Sequence, residues 1–158
     1  MTGRVVLVGA GHAHLEVLRR AATLRAVGVE VSIVAPRWFR YSGLASPVAA
    51  GLLPPSANTV DVAALARRHG VTHHDAKVDA IDLPGRRVRA EDGAWHPYTA
   101  VSWNVGSVSR TDQLEVAPEV LVTKPLVRLE GLAPRLAELA TLGRAPRVAV
   151  VGAGPTGV

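Results

Sequence analysis

The sequence predicts an α/β chain built on a Rossmann-like parallel sheet with a small antiparallel meander, and three observations predict it. A short apolar run, Val5 to Val8, ends in Gly9-Ala10-Gly11. An amphipathic stretch and a β-branched run, Val29 to Val34, follow at the spacing of a strand-helix-strand unit. Far along the chain the opening pattern returns, R-V-A-V-V-G-A-G from Arg147 against R-V-V-L-V-G-A-G from Arg4.

Val5 to Val8 is apolar at every position, as in a strand buried on both faces of a parallel sheet. From His12 to Arg25 the residues Leu15, Leu18 and Ala22 recur at helical spacing, with Glu16 and Arg20 placed to pair on the wet side. Gly28 closes that helix, and Val29 to Val34 forms the next strand, parallel to the first. Arg37 to Pro55 has no clean period and reads as an irregular segment with about one helical turn. Asp61 caps a helix that ends at Gly70, and Val71 to His74 is a third strand. Lys77 to Leu83 and Arg86 to Ala90 flank Pro84-Gly85, a type II turn pair, and Asp92-Gly93 supplies a second turn before Trp95, which together give a meander. Ala100 to Val105 is a strand ending at Gly106, Val120 to Val122 is an edge piece, and Leu126 to Leu142 is a helix broken or kinked at Pro134.

Composition narrows the function classes. The 158 residues include 18 Lys and Arg against 13 Asp and Glu, a net charge of +5, and this basic balance fits a nucleic acid, an anionic membrane surface or a phosphate-bearing ligand. No basic run reaches five residues and few aromatics exist to stack bases, so nucleic acid is not expected as a partner. Cysteine is absent, which removes disulfides, thiolate metal sites and a Cys nucleophile together. No apolar run has the length of a transmembrane segment, and a cytoplasmic location is the default expectation.

Chemistry concentrates in the glycines. At the end of a strand, Gly9 and Gly11 let the backbone turn sharply, and a pyrophosphate could rest on the N-terminus of the next helix. His14 stands where the usual motif has its third glycine. The second copy keeps all three, as Gly152, Gly154 and Gly157. About twenty residues past the glycines, where an acid ordinarily binds ribose hydroxyls, lies Ala35. Arg37, two residues on, is either a cation for a 2′-phosphate or pyrophosphate or a solvated surface arginine. His12 and His14 either reach the ligand or pack at the helix start. His73, His74 and Asp75 are metal-ligating types, but neighbours in a strand point to opposite faces, so no metal is expected.

L-V-G-A-G-H-A-H-L-E-V-L-R-R from Leu7, R-Y-S-G-L from Arg40, P-V-A-A-G from Pro47, S-W-N-V-G-S from Ser102 and T-K-P from Thr123 occur in an order that resembles the pyridine nucleotide-disulfide oxidoreductase superfamily. The branch it looks most like is similar to type II NADH dehydrogenases and to the oxidoreductase fused to selenophosphate synthase. The resemblance implies FAD, with its pyrophosphate at Gly9, Gly11 and His12, flavin-side contacts at Ser42 and Gly43, and adenine against the backbone near Val78. Gly106 would end the last strand of the FAD half. Lys124 is either an ammonium near the flavin or an exposed loop lysine. Asn104-Val105-Gly106 stands where many relatives have Ala-Thr-Gly, and no cysteine pair lies between Tyr41 and Ala50, which excludes the disulfide-reducing subclass.

The implied organisation is an FAD-binding domain over residues 1–110, a connecting segment over 111–145, and the start of an NAD(P)H-binding domain over 146–158. The implied activity is transfer of electrons from NAD(P)H through FAD to a small acceptor such as a quinone. The alternative is a non-catalytic nucleotide-binding fragment, because the second glycine motif has neither helix nor strand behind it in these 158 residues. The strand expected at Arg147 to Val151, left unpaired, would pair between molecules and give oligomers.

Overall fold

The computed structural model describes residues 3–112, 115–117, 120–141 and 147–152. They form two compact units, one of residues 3–39 and 60–106, the other of 40–59 and the described residues from 107 onward.

The first unit is a four-stranded parallel sheet of order β5-β2-β1-β9, with β1 at Gly3–Val8, β2 at Val29–Val34, β5 at Thr72–His74 and β9 at Ala100–Trp103. Alternation along β1 and β2 divides the core. Leu7, Val31 and Ile33 pack with Leu18, Ala21, Val62 and Ala66 of the helices, while Val6, Val8 and Val34 pack with Ala76, Val88 and Ala90 beside the meander. Both faces of the central strands are therefore covered, as the unbroken apolar runs require.

The helix after β1 is two helices, α1 (His12–Arg19) and α2 (Ala21–Ala26), rather than the single one its stripe implies. Arg20 has ψ 8°, and its N–H donates to the carbonyls of both Glu16 and Val17, so the turn tightens and the axis resets. The expected Glu16–Arg20 pair forms at 2.7 Å. Asp61 caps α4 (Val62–Arg68) by accepting the Ala64 N–H at 2.9 Å.

The meander consists of β6 (Val78–Asp82), β7 (Arg87–Ala90) and β8 (Trp95–Pro97), all antiparallel. Its first turn corrects the sequence reading: the positive φ, 48°, falls on Arg86 and not on Gly85. A type II turn needs it on the glycine, whereas here Asp82 accepts the Gly85 N–H at 2.9 Å and holds that residue in the ordinary region.

A short ribbon pairs β3 (Trp38–Arg40) with β4 (Thr59–Asp61), and residues 40 and 59 bound the first segment of the second unit. Inside that unit α3 (Ala45–Ala49) packs Ala45 and Ala49 on Leu129, with Leu121, Leu126 and Leu132 around them. The Arg40 guanidinium donates to Glu130 at 2.5 Å and to Thr59 at 3.0 Å. Val120 to Val122 forms no strand. The expected helix is a 3₁₀ stretch over Leu126–Gly131 followed by α5 (Leu132–Ala140), and Pro134 does not break it. Pro134 is the third residue of α5, in the first turn, where backbone N–H groups lack intrahelical partners in any case. Arg147 to Val151 is likewise not a strand in the single chain, and Val148, Val150 and Val151 are exposed.

Two expectations test these packings by chemical unfolding. Leu18→Ala, at a side chain with no exposed surface, should destabilise the first unit by about 3 kcal/mol. Glu130→Ala leaves Arg40 without its carboxylate in a half-buried place and should cost roughly 1 to 3 kcal/mol, between the exposed and the buried cases, lowering the midpoint of the second unit.

Candidate functional site

In chain order the sheet grows outward from β1 to β2 and β5, and then returns to place β9 on the other side of β1. The strand order reverses between β1 and β9, and in open α/β sheets the crevice at the carboxyl ends of such strands is where ligands bind. The Gly9-Ala10-Gly11 turn leaves β1 at that point.

Its shape is set by Asn104, the residue that follows β9. The Asn104 N–H donates to the Val8 carbonyl at 2.8 Å, and the Asn104 carbonyl accepts the Gly11 N–H at 3.1 Å. Gly9 has φ 83°, and a Cβ there would lie under 3 Å from the Asn104 carbonyl and the Val105 backbone. A Cβ on Gly11 would lie under 3 Å from the Asn104 side chain. Both glycines are thus required by the close approach of the turn to the end of β9. The room at Gly11 is taken by Asn104 and is not open space for a ligand, so a side chain there must first turn Asn104 aside.

Gly11 is also the N-cap of α1, with extended backbone and no side-chain cap. No acidic residue lies in the first turn. The helix end therefore presents its positive dipole and its N–H groups without a compensating carboxylate of its own, which suits an anion. His12 is exposed, in the first turn, and meets Phe39 edge-on at 5.4 Å between ring centroids.

His14 behaves differently. Its ring is 2% exposed and turned inward, so of the two readings open for it, packing is the one realised. The Gly9 carbonyl can only accept, so Nδ1–H donates to it at 2.7 Å and Nε2 accepts from the Ser102 hydroxyl at 2.9 Å. Burial pushes the pKa of this imidazole below its ordinary 6.5, opposed by the bond to Gly9.

At the end of β2, Ala35 is fully buried and offers no ribose ligand. Arg37 is half-exposed but committed: its guanidinium donates to Asp61 at 2.8 and 3.2 Å and lies 4.7 Å from the Trp38 ring centroid, while its backbone N–H donates to Asp75 at 2.8 Å. His73 donates from Nε2 to the Ala35 carbonyl at 2.8 Å, and His74 lies against His96, 4.2 Å between centroids. With Asp75 at the Arg37 amide, the three adjacent ligand types point to three separate partners. Burial, reinforced by the neighbouring His96 and His73, pushes His74 down, and the buried Nε2 of His96 has no partner among the described residues.

The remaining candidates are dispersed. Val78 opens β6 and packs beside the second core. Gly106, φ 82°, lies three residues past β9. Ser42 and Gly43 form a 3₁₀ turn in the second unit, where a Cβ on Gly43 would strike the Tyr41 ring. Lys124, also in that unit, is half-buried and precedes a cis Pro125. Gly152 has φ 109°, and Gly154 and Gly157 lie outside the described residues. A cavity of 310 Å³ lies at the N-terminal end of β2, lined among others by Arg25, Gly28, Glu30 and Thr72. It is at the opposite end of the parallel strands from the glycine turn, and Arg25 there is spent on the carbonyls of His69 and Gly70.

No protein-family model and no curated protein sequence matches the chain. Solved structures do match by fold. The sulfide:quinone oxidoreductase of Aquifex aeolicus superposes on 88% of the chain with TM-score 0.74 at 14% identity, over 32% of its own length. A ferredoxin reductase from Rhodopseudomonas palustris covers 86% at TM-score 0.64 and 20% identity, over 35% of its length. The water-forming NADH oxidase of Lactobacillus brevis, bound to NADH, covers 88% at TM-score 0.60 and 18% identity, over 32%. The fold is Rossmann-type. This chain spans about a third of the length of each of these oxidoreductases.

Sequence reasoning found the glycine turn and missed what shapes it. Asn104 and Ser102 act because β9 is the neighbour of β1, and nothing local in S-W-N-V-G announces that pairing. Two histidines, His14 buried and His74 half-buried, carry a pH dependence. The fold pushes the pKa of His14 and of His74 down, in each case chiefly by burial, from the 6.5 that is ordinary for the unfolded chain. Below that pH the unfolded chain binds protons that the fold resists, so the contribution of these two groups to stability is present above it and is lost as the pH falls through the mildly acidic range. The urea midpoint across this range is the measurement, and His74→Gln should make the fall shallower.

Proposed function

We propose that the chain is the N-terminal, nucleotide-binding part of an FAD-dependent NAD(P)H oxidoreductase of the pyridine nucleotide-disulfide oxidoreductase superfamily. The observation that carries the reading is the uncapped start of α1 beside two glycines, at the point where the strand order reverses between β1 and β9. That arrangement fits a pyrophosphate. The backbone of Gly9 to His12 and the dipole of α1 would hold it, with His12 in the first turn of the helix. Bound FAD would supply hydride acceptance from the nicotinamide and release of electrons to a small acceptor such as a quinone. Support for that chemistry comes from the fold neighbours, which include a sulfide:quinone oxidoreductase and an NADH oxidase.

The ribose end discriminates between nucleotides. A 2′-phosphate would have to displace Asp61 from Arg37, and Asp75 stands beside the same residue. The first glycine turn therefore suits a nucleotide with free ribose hydroxyls, as FAD has, over one phosphorylated there. Ser42, Gly43 and Lys124 remain the proposed flavin-side residues, Val78 the adenine-side one, and Gly152, Gly154 and Gly157 the proposed NAD(P)H turn of the complete enzyme. The branch close to type II NADH dehydrogenases is the proposed one.

Titration calorimetry with FAD tests the site. Wild type should bind FAD, and Gly11→Val should weaken binding at least tenfold while circular dichroism keeps its α/β signal, because the new side chain turns Asn104 into the crevice. Equal binding by both proteins would place the nucleotide elsewhere. Consumption of NADH with added FAD and a soluble quinone then separates a competent oxidoreductase from a binding fragment.

A further inference from the structure

We propose that His14 is a positioning residue of the glycine turn, setting the direction of its first peptide plane through the Gly9 carbonyl and the Ser102 hydroxyl. The inference rests on the reading of that turn as a phosphate site. At this position a dinucleotide-binding turn ordinarily has a glycine, whose small size lets helix and strand pack closely. Here an imidazole fills the same place, 2% exposed, and closeness is replaced by hydrogen bonds.

The covalent geometry makes those bonds directional. In a trans peptide the carbonyl of one residue and the N–H of the next lie in one rigid plane and point in opposite directions. With the Gly9 carbonyl drawn to Nδ1 of His14 at 2.7 Å, the Ala10 N–H is directed away from the imidazole. The next plane is set in the same manner from the other side: the Gly11 N–H is held by the Asn104 carbonyl at 3.1 Å, so the Ala10 carbonyl points away from β9. His14 and Asn104 thus fix two consecutive peptide planes of the turn. Gly9, with φ 83°, sits in a region glycine leaves and enters easily, so without the imidazole its peptide can rotate. Ser102 completes the arrangement. The Gly9 carbonyl requires the proton on Nδ1, and the Ser102 hydroxyl, able to donate or accept, then donates to Nε2 at 2.9 Å and holds the other edge of the ring. Burial favours the neutral ring that this pairing uses.

The test uses FAD as the probe and three variants. The amide nitrogen of asparagine overlays Nδ1 of histidine, so His14→Asn keeps the bond to Gly9 and should bind FAD within about threefold of wild type. His14→Ala removes it and should raise the Kd about tenfold, roughly 1.4 kcal/mol. Ser102→Ala removes the partner of Nε2 while the Gly9 carbonyl still requires the proton on Nδ1, so the ¹⁵N shifts of His14 should keep the Nδ1–H pattern, with a smaller loss of affinity than in His14→Ala. Equal affinity for wild type and His14→Ala, or a wild-type ring protonated on Nε2 alone, overturns the proposal. So does a fall in affinity that His14→Asn does not restore, which would mean packing alone. If His14→Ala fails to fold, the wild-type tautomer and the asparagine and Ser102 variants still decide. Should wild type bind no FAD, the phosphate reading fails separately, and hydrogen exchange at Ala10 and Gly11 decides this inference: faster in His14→Ala and unchanged in His14→Asn supports it, equal rates overturn it.

Discussion

Burial of β1 on both of its faces and hydrogen bonding along both of its edges is the constraint on which the first unit depends. Val6, Leu7 and Val8 are each about 1% exposed, and the strand pairs in parallel with β2 over its whole length and with β9 over Val5 to Val8. A strand so enclosed can leave the sheet only at its carboxyl end. The exit must turn within two residues to start α1 on the helical face, and the carbonyl and N–H groups at the turn must be met by something. Asn104 meets them, which fixes glycine at positions 9 and 11 for steric reasons before any ligand is considered.

This changes the meaning of the glycines. A G-x-G turn is commonly read as leaving space for a pyrophosphate, but here both missing side chains make room for the end of β9. What the turn offers a phosphate is the start of α1, which has no cap and no carboxylate in its first turn. The packing and the proposed binding role are compatible, because the glycines' missing side chains face the end of β9 while the role rests on the start of α1. The third position shows the same economy. His14 satisfies with its ring what a glycine would satisfy by being small, and the cost is a buried imidazole whose charged form burial disfavours.

Charge at the end of β2 is organised around Arg37. Asp61 serves twice, capping α4 through the Ala64 N–H and accepting the Arg37 guanidinium, and Asp75 takes the Arg37 amide. The arrangement holds β2, β5 and α4 together where a ribose acid would otherwise stand. The second unit has a comparable fastening, since Arg40 joins the segment before α3 to the 3₁₀ stretch through Glu130. That bond explains the arginine of R-Y-S-G-L in structural terms.

The sequence by itself determined β1, β2, the meander, the Asp61 cap and the glycine turn, because each rests on residues adjacent in the chain: an apolar run, an alternation, a side chain and its own next N–H groups. It also placed His73, His74 and Asp75 on diverging sides through the pleat of a strand. The tertiary structure alone decided the rest. The break at Arg20, the positive φ at Arg86, the harmless position of Pro134 and the absence of a strand at Arg147 to Val151 depend on which backbone partners are within reach, and composition does not record that. The roles of Asn104, Ser102 and His14 required knowing that β9 lies beside β1, a pairing across some ninety residues. Side-chain chemistry supplies donors and acceptors locally, but only the strand order determines which of them meet.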